Sequence, residues 1–305
     1  MPYADVNGMS LWYEEHGESG ESGGSGEPGA AGSAEPPLVL LHGGFGAGEM
    51  FQPFLAAGGG EGRRVITVDL QAHGRTPDVA GRPMSGEAMA DDVAGLLEHL
   101  GAAPADVLGY SLGAGAALRL AIQRPDLVRR LVVVSLPARR SGWFPEVTAQ
   151  MDRMDEGAAE ALKQSPMYEL YERIAPRVED WPVLVEKVTS MNRRDYDWTG
   201  EIAGVTAPVL LVFADGDGIR PAHMVEFFGL LGGGLKDPGW DGAGRPSARL
   251  AVIPGATHYD LMLSPLLPAV VGAFLAEEAA GKAAGKAAEE AAGKAAEEAG
   301  GKAAE

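Results

Sequence analysis

The sequence predicts an α/β protein: one mostly parallel sheet of eight strands, flanked by helices, with a helical insertion over one end. Three observations predict it. Short β-branched apolar runs, Leu38 to Leu41, Val65 to Val68, Val107 to Leu108, Leu131 to Val134, Val209 to Phe213 and Leu250 to Ile253, have the composition of strands buried on both faces. Helical patterns alternate with them: Glu87 to Leu100 carries Val93, Leu96, Leu97 and Leu100 at helical spacing, and the Ala- and Leu-rich Leu112 to Gln123 stops at Arg124-Pro125. Such alternation implies parallel strands joined by right-handed crossovers. It fails once, between about Pro137 and Thr206, where the chain is helical and rich in Met, Trp and Tyr without a convincing strand.

Two further strands lie at the start, on either side of Asn7-Gly8, a pair that supplies positive φ at both centres of a tight hairpin turn. From Gly17 to Pro37 the residues are almost all Gly, Ser, Glu, Ala and Pro, a composition that cannot bury enough apolar surface to offset ordering entropy; a flexible loop is expected. Helices are expected in the insertion at Glu146 to Met154, Ala158 to Lys163, Tyr168 to Ile174 and Trp181 to Met191, and a last helix from Asp260 to Ala276. Glu277 to Glu305 repeats Gly-Lys-Ala-Ala and Ala-Ala-Glu-Glu with no large apolar residue, so it has no face to pack. The layout is therefore a core of residues 1–136 and 207–276, an insertion of 137–206 and a tail of 277–305.

Composition narrows the function. A net charge of −18 opposes nucleic acid and anionic membrane surfaces as partners. The absence of Cys removes disulfides, thiolate metal sites and a cysteine nucleophile. No apolar stretch is long enough to span a membrane, and Met1 to Glu15 lacks the basic start and apolar run of a leader, so a cytoplasmic protein is expected. The glycine-rich Gly229 to Gly244 lacks the ending of a phosphate loop, and no His-Glu-x-x-His or carboxylate cluster points to a metal; no cofactor is expected.

The chemistry concentrates in Gly109-Tyr110-Ser111-Leu112-Gly113, which fits G-x-S-x-G. The pattern alone is weak, and Gly20-Glu21-Ser22-Gly23-Gly24 matches it too. Context separates them: Ser111 follows an apolar strand and opens a helix, whereas Ser22 sits in the polar loop. A serine on so tight a strand-to-helix turn needs small residues two before and two after it, and Gly109 and Gly113 meet that need. A hydroxyl nucleophile needs a base, and the base an orienting acid. Of the six His, His258 in Pro254-Gly255-Ala256-Thr257-His258 follows the final strand and is the expected base. His42 and His73 are expected to fix strand-end loops, His16 and His99 to lie on the surface, and His223 to face solvent or the insertion. Asp215 and Asp217 compete as the acid; Asp217 is preferred because it stands farther along its loop, with Asp215 tying that loop by hydrogen bonds. Oxyanion donors are expected from the amide of Leu112 and from the loop His42-Gly43-Gly44-Phe45-Gly46, with Gly44 first and Phe45 the alternative.

Jointly these segments, with Tyr3 to Gly8, Asp69-Leu70-Gln71-Ala72-His73-Gly74-Arg75-Thr76 and Pro221, resemble the α/β-hydrolase superfamily with a helical cap, of the esterase, haloperoxidase-like and carbon–carbon hydrolase type. The resemblance covers Met1 to about Ala276. It implies Ser111 as nucleophile, His258 as base, Asp217 as orienter, and Leu112 with Gly44 as the oxyanion hole. Gln71-Ala72 departs from the Arg-Gly more usual there and touches nothing catalytic. Ser rather than Asp at the nucleophile position disfavours the dehalogenase and epoxide hydrolase branches.

A small-molecule substrate is expected between the strand ends and the insertion, in a mainly apolar pocket. Candidate walls are Phe45, Tyr110, Trp143, Phe144, Met151, Met154, Met167, Tyr168, Tyr171, Trp181 and Met191, at least half of them expected to serve only helix packing. Arg139, Arg140, Arg193 and Arg194 could meet a carboxylate substrate, but exposed charge on a helix is the preferred reading. Hydrolysis of a carboxylic ester, thioester or lactone leads; carbon–carbon cleavage or perhydrolysis by the same residues, and a non-catalytic binding protein, stand as alternatives. Substrate identity and oligomeric state are left open.

Overall fold

The computed structural model describes residues 2–17, 35–155 and 157–277. Ser22, nearly all of the expected flexible loop and the tail after Glu277 lie outside the described residues.

Eight strands form one sheet: β1 (Tyr3–Val6), β2 (Met9–His16), β3 (Leu38–Leu41), β4 (Val65–Val68), β5 (Ala105–Tyr110), β6 (Val128–Val134), β7 (Val209–Gly216) and β8 (Arg249–Thr257), in the order β1-β2-β4-β3-β5-β6-β7-β8. β1 and β2 pair antiparallel, as do β2 and β4; every other neighbour is parallel. Positive φ at Asn7 (50°) and Gly8 (76°) makes the first hairpin turn. The helices are α1 (Gln52–Ala56), α2 (Gly86–His99), α3 (Leu112–Gln123), α4 (Pro145–Arg153), α5 (Ala158–Ala161), α6 (Pro166–Ile174), α7 (Trp181–Arg193), α8 (Thr199–Ile202), α9 (Pro221–Leu230) and α10 (Leu266–Ala276).

Alternation along the strands builds two apolar layers. Val39, Leu41, Val107, Leu131, Val133 and Leu211 pack on one face with residues of α2 and α3, while Leu38, Leu40, Leu108, Val132, Val134 and Leu210 pack on the other with residues of α1 and α10. This is why the central runs lack polar residues. Because β3 and β5 to β8 run parallel, the loops that follow them emerge at one sheet edge, where a ligand site belongs. Helices α4 to α8 all come from the chain between β6 and β7. No helix among the described residues is long and apolar enough to cross a membrane.

The last helix starts later than its pattern suggests. The Asp260 carboxylate accepts from the Thr257 amide at 2.6 Å and its hydroxyl at 2.9 Å, so it caps the preceding loop; a short 3-10 turn, Leu261–Leu263, and Pro265 then delay α10. The short α1 and α8 were beyond the reach of periodicity, which needs more than one turn.

Three histidines act as struts. The His42 ring donates through Nδ1 to the Gly43 carbonyl at 2.7 Å and accepts the Leu70 amide at Nε2 at 3.0 Å, joining the loops after β3 and β4. His73 donates from Nδ1 to the Gln71 carbonyl at 2.8 Å, its ring 4.9 Å from that of His42. His223 does not face solvent: it is buried, accepting the Ala138 amide at Nε2 at 3.0 Å and donating to Glu226 at 3.0 Å, which fastens α9 to the start of the insertion. Burial, helped by the neighbouring His42, holds the His73 imidazole down to about 3. The folded state therefore refuses a proton that the unfolded chain binds, so stability is full above the unfolded pKa of about 6.5 and falls as pH drops from there toward 3. Urea unfolding at pH 7 and pH 5 is expected to show that loss, and His73→Gln to reduce it by about 1 to 2 kcal/mol; equal pH dependence of the two proteins would contradict it.

Candidate active site

Ser111 stands between β5 and α3 with φ 52° and ψ −113°, a conformation rare for a side chain. The two glycines around it are required by space. A Cβ on Gly109 would lie 2.3 Å from the Gly113 carbonyl oxygen, and one on Gly113 would lie 2.2 Å from that of Leu41. Backbone, not a movable side chain, fills both positions.

The turn aims Ser111 at a histidine. Ser111 Oγ is 3.2 Å from His258 Nε2, and His258 Nδ1 is 3.2 Å from both Asp217 Oδ1 and Ser135 Oγ. Asp217 is buried; its Oδ2 takes the Ser135 hydroxyl proton in a short hydrogen bond and the Ala214 amide at 3.3 Å. With the Ser135 proton committed to Asp217, its oxygen is left to accept, so the Nδ1–H of His258 points at two acceptors and Nε2 is left unprotonated toward Ser111. Asp215 turns the other way and accepts the Gly255 amide at 2.9 Å.

Ser135 was missed in the sequence. It follows β6, is fully buried and has φ 57°, but one small polar residue after an apolar run carries no pattern. Its position at the same sheet edge was the available signal. Tyr110 also does more than line a wall: its hydroxyl donates to the His258 carbonyl in a short hydrogen bond, and burial raises its pKa. Trp143 closes on His258 edge-on, ring centroids 5.3 Å apart.

Beside Ser111 the Gly46 amide bonds the Gly43 carbonyl at 3.1 Å, closing a turn with Gly44 and Phe45 at its centre and φ 61° at Phe45. Among the described residues the Gly44 and Phe45 amides have no acceptor, and Leu112 N–H, the first of α3, has none within its helix. All three residues line a cavity of about 720 Å³ that also reaches Ser111 and His258.

Seven of the eleven expected wall residues line that cavity: Phe45, Tyr110, Trp143, Met151, Met154, Met167 and Met191. Phe144 does not; it stands before α4 with its amide held by the Gly218 carbonyl and its side chain turned out, 37% exposed. Tyr171 does not either. It packs with Tyr168 and Phe45 around Trp181, whose indole N–H donates to the Ala159 carbonyl at 2.8 Å, so this group joins the insertion to the turn at Phe45. Arg140 and Arg194 reach the cavity, and Arg140 is held by Asp152 at 2.7 Å. Among the described residues no group of three or more His, Asp or Glu gathers as a metal site.

The alpha/beta hydrolase fold family model matches residues 36–164. A pimeloyl-[acyl-carrier protein] methyl ester esterase of Neisseria meningitidis serogroup B is 33% identical over 183 residues, 53% of this chain and 68% of that protein. The sn-1-specific diacylglycerol lipase of Mus musculus is 45% identical over 102 residues, and the match spans only 33% of its length and 33% of this chain. The crystal structure of the enol-lactonase from Burkholderia xenovorans LB400 superposes with a TM-score of 0.63 at 21% identity, covering 90% of this chain and all of that one. The chain belongs to the α/β-hydrolase superfamily.

Proposed function

We propose that this chain is a serine hydrolase that cleaves a small, mainly apolar carboxylic ester, thioester or lactone through an acyl-enzyme. The observation that carries the reading is the continuous chain of contacts from Ser111 through His258 to the buried Asp217, opening into a largely apolar cavity. Ser111 Oγ attacks the substrate carbonyl while its proton passes to His258 Nε2. The oxyanion is received by the Leu112 and Gly44 amides, with the Phe45 amide as the alternative second donor. The intermediate collapses as His258 returns the proton to the departing oxygen or sulfur. Water then adds to the acyl group, its proton taken by the same nitrogen and handed on to Ser111 Oγ as the bond to the serine breaks and the acid leaves. Asp217 holds the Nδ1 tautomer and balances the imidazolium. The methyl ester, acylglycerol and lactone named in the three relatives are all carboxylic esters, which supports the same reaction class here.

Labelling by a fluorophosphonate, mapped to Ser111, together with turnover of a panel of p-nitrophenyl esters, is the expected result. A protein inert to both would end this reading.

Within it, Ser135 is a positioning residue. Ser135→Ala removes a hydrogen-bond donor to Asp217 and an acceptor from His258, and is expected to lower kcat about tenfold, roughly one charge-assisted hydrogen bond, with KM little changed and the thermal midpoint down by about 2 to 6 °C. Steady-state kinetics beside a melting curve checks this; a KM effect without a kcat effect would assign Ser135 to substrate binding instead.

A further inference from the structure

Helix α3 lines one side of the cavity and forms its floor. Leu112, Gly115 and Arg119 all line it, and their spacing puts them on one helix face, so the floor continues for roughly 10 Å beyond the serine turn. Val188, Met191 and Trp198 from the insertion line it as well. Seven of the chain's eleven methionines contribute, unbranched and polarisable side chains that adapt to an aliphatic guest.

Gly115 is the exceptional position on that floor. It lies inside a helix, where glycine is disfavoured relative to alanine. Unlike Gly109 and Gly113, it is not pressed by backbone: a Cβ there would meet only a Trp198 ring carbon, at 3.6 Å, an ordinary contact. Neither turn geometry nor packing asks for a glycine, and a side chain there would fill the space between α3 and Trp198 at the cavity wall. At the far end Arg119 is matched by Glu201 at 2.7 Å and Glu87 at 3.3 Å and lies over the Trp198 ring at 5.9 Å. The end of the channel thus offers no surplus positive charge to a carboxylate-terminated chain.

From these observations we infer that the substrate lays a linear, uncharged aliphatic chain along α3 and that Gly115 sets how long that chain is. The inference rests on the ester-hydrolase reading of Ser111. Helix rise places Gly115 about four and Arg119 about eight extended carbons beyond Leu112. A side chain at residue 115 therefore closes the outer half of the channel.

The test measures kcat/KM of the unsubstituted protein, Gly115→Ala and Gly115→Leu on two ester pairs. One pair, p-nitrophenyl acetate and octanoate, lengthens the acyl arm; the other, ethyl and octyl acetate, lengthens the alcohol arm. In one pair the long-to-short ratio is expected to fall about tenfold or more in Gly115→Leu, with Gly115→Ala between, as buried methylenes are lost. Should Gly115→Leu not fold, Gly115→Ala decides alone. Ester turnover with ratios unchanged within about twofold in both pairs overturns the inference and leaves the hydrolase reading standing. No turnover and no fluorophosphonate labelling of the unsubstituted protein overturns both.

Discussion

Ser111→Ala is expected to abolish fluorophosphonate labelling and to lower kcat on any ester the protein turns over by about 10⁴-fold or more. The size follows from what the substitution removes. Without Oγ there is no acyl-enzyme, and the remaining route is direct attack by water, helped only by the oxyanion donors and by substrate binding. His258 and Asp217 have no task without the nucleophile, so adding His258→Ala to Ser111→Ala is expected to cost almost nothing further. KM is expected to stay near its starting value, because the cavity walls are untouched. Folding is unaffected: Oγ makes one hydrogen bond, to a partly buried ring, and melting curves of the two proteins are expected to agree within about 2 °C. Single-turnover and steady-state kinetics with mass-spectrometric mapping check this. A variant that kept activity within about tenfold would place the nucleophile elsewhere.

How legible each part of this molecule is in its sequence follows from how that part is enforced. The elbow is enforced by backbone contacts that tolerate no Cβ, and such a constraint writes glycines at fixed offsets. The central strands are enforced by burial on both faces, which writes unbroken apolar runs such as Leu131 to Val134. Ser135 is enforced by a single proton given to Asp217, and nothing in composition or spacing records that. The neighbouring carboxylates Asp215 and Asp217 look alike as letters. One bonds an exposed loop amide and the other reaches a partly buried histidine, a difference fixed by how the chain turns after Gly216. The insertion is the least legible part. Aromatic and Met residues at helical spacing reveal amphipathic helices but not which apolar neighbour they meet, so Tyr171, which packs on Trp181, and Met151, which faces the cavity, carry the same signal. Gly115 illustrates the reverse: an unremarked residue in an Ala-rich helix gains meaning only once the space above it is seen.

That contrast between glycines leads to the largest stability effect expected. Gly113→Ala and Gly115→Ala make the same chemical change two residues apart in α3, and by helix propensity alone both should stabilise by about 1 kcal/mol. At Gly113 the new methyl would sit 2.2 Å from the Leu41 carbonyl oxygen and 2.4 Å from that of His42. Neither oxygen can retreat cheaply. Leu41 is registered against Gly109 in the β3–β5 ladder, and the His42 ring is bonded to both Gly43 and Leu70. The helix must lift from the sheet, opening the buried contacts of Ala114, Ala117 and Leu118 and carrying Ser111 away from His258. Gly113→Ala is therefore expected to lose more than about 4 kcal/mol, or to be insoluble, whereas Gly115→Ala is expected to be neutral or more stable by up to about 1 kcal/mol. Urea unfolding of the pair at pH 7, with circular dichroism as the readout, compares them directly. If both variants unfolded at the same urea concentration, close packing of α3 against the end of β3 would not be what demands the second glycine of the elbow.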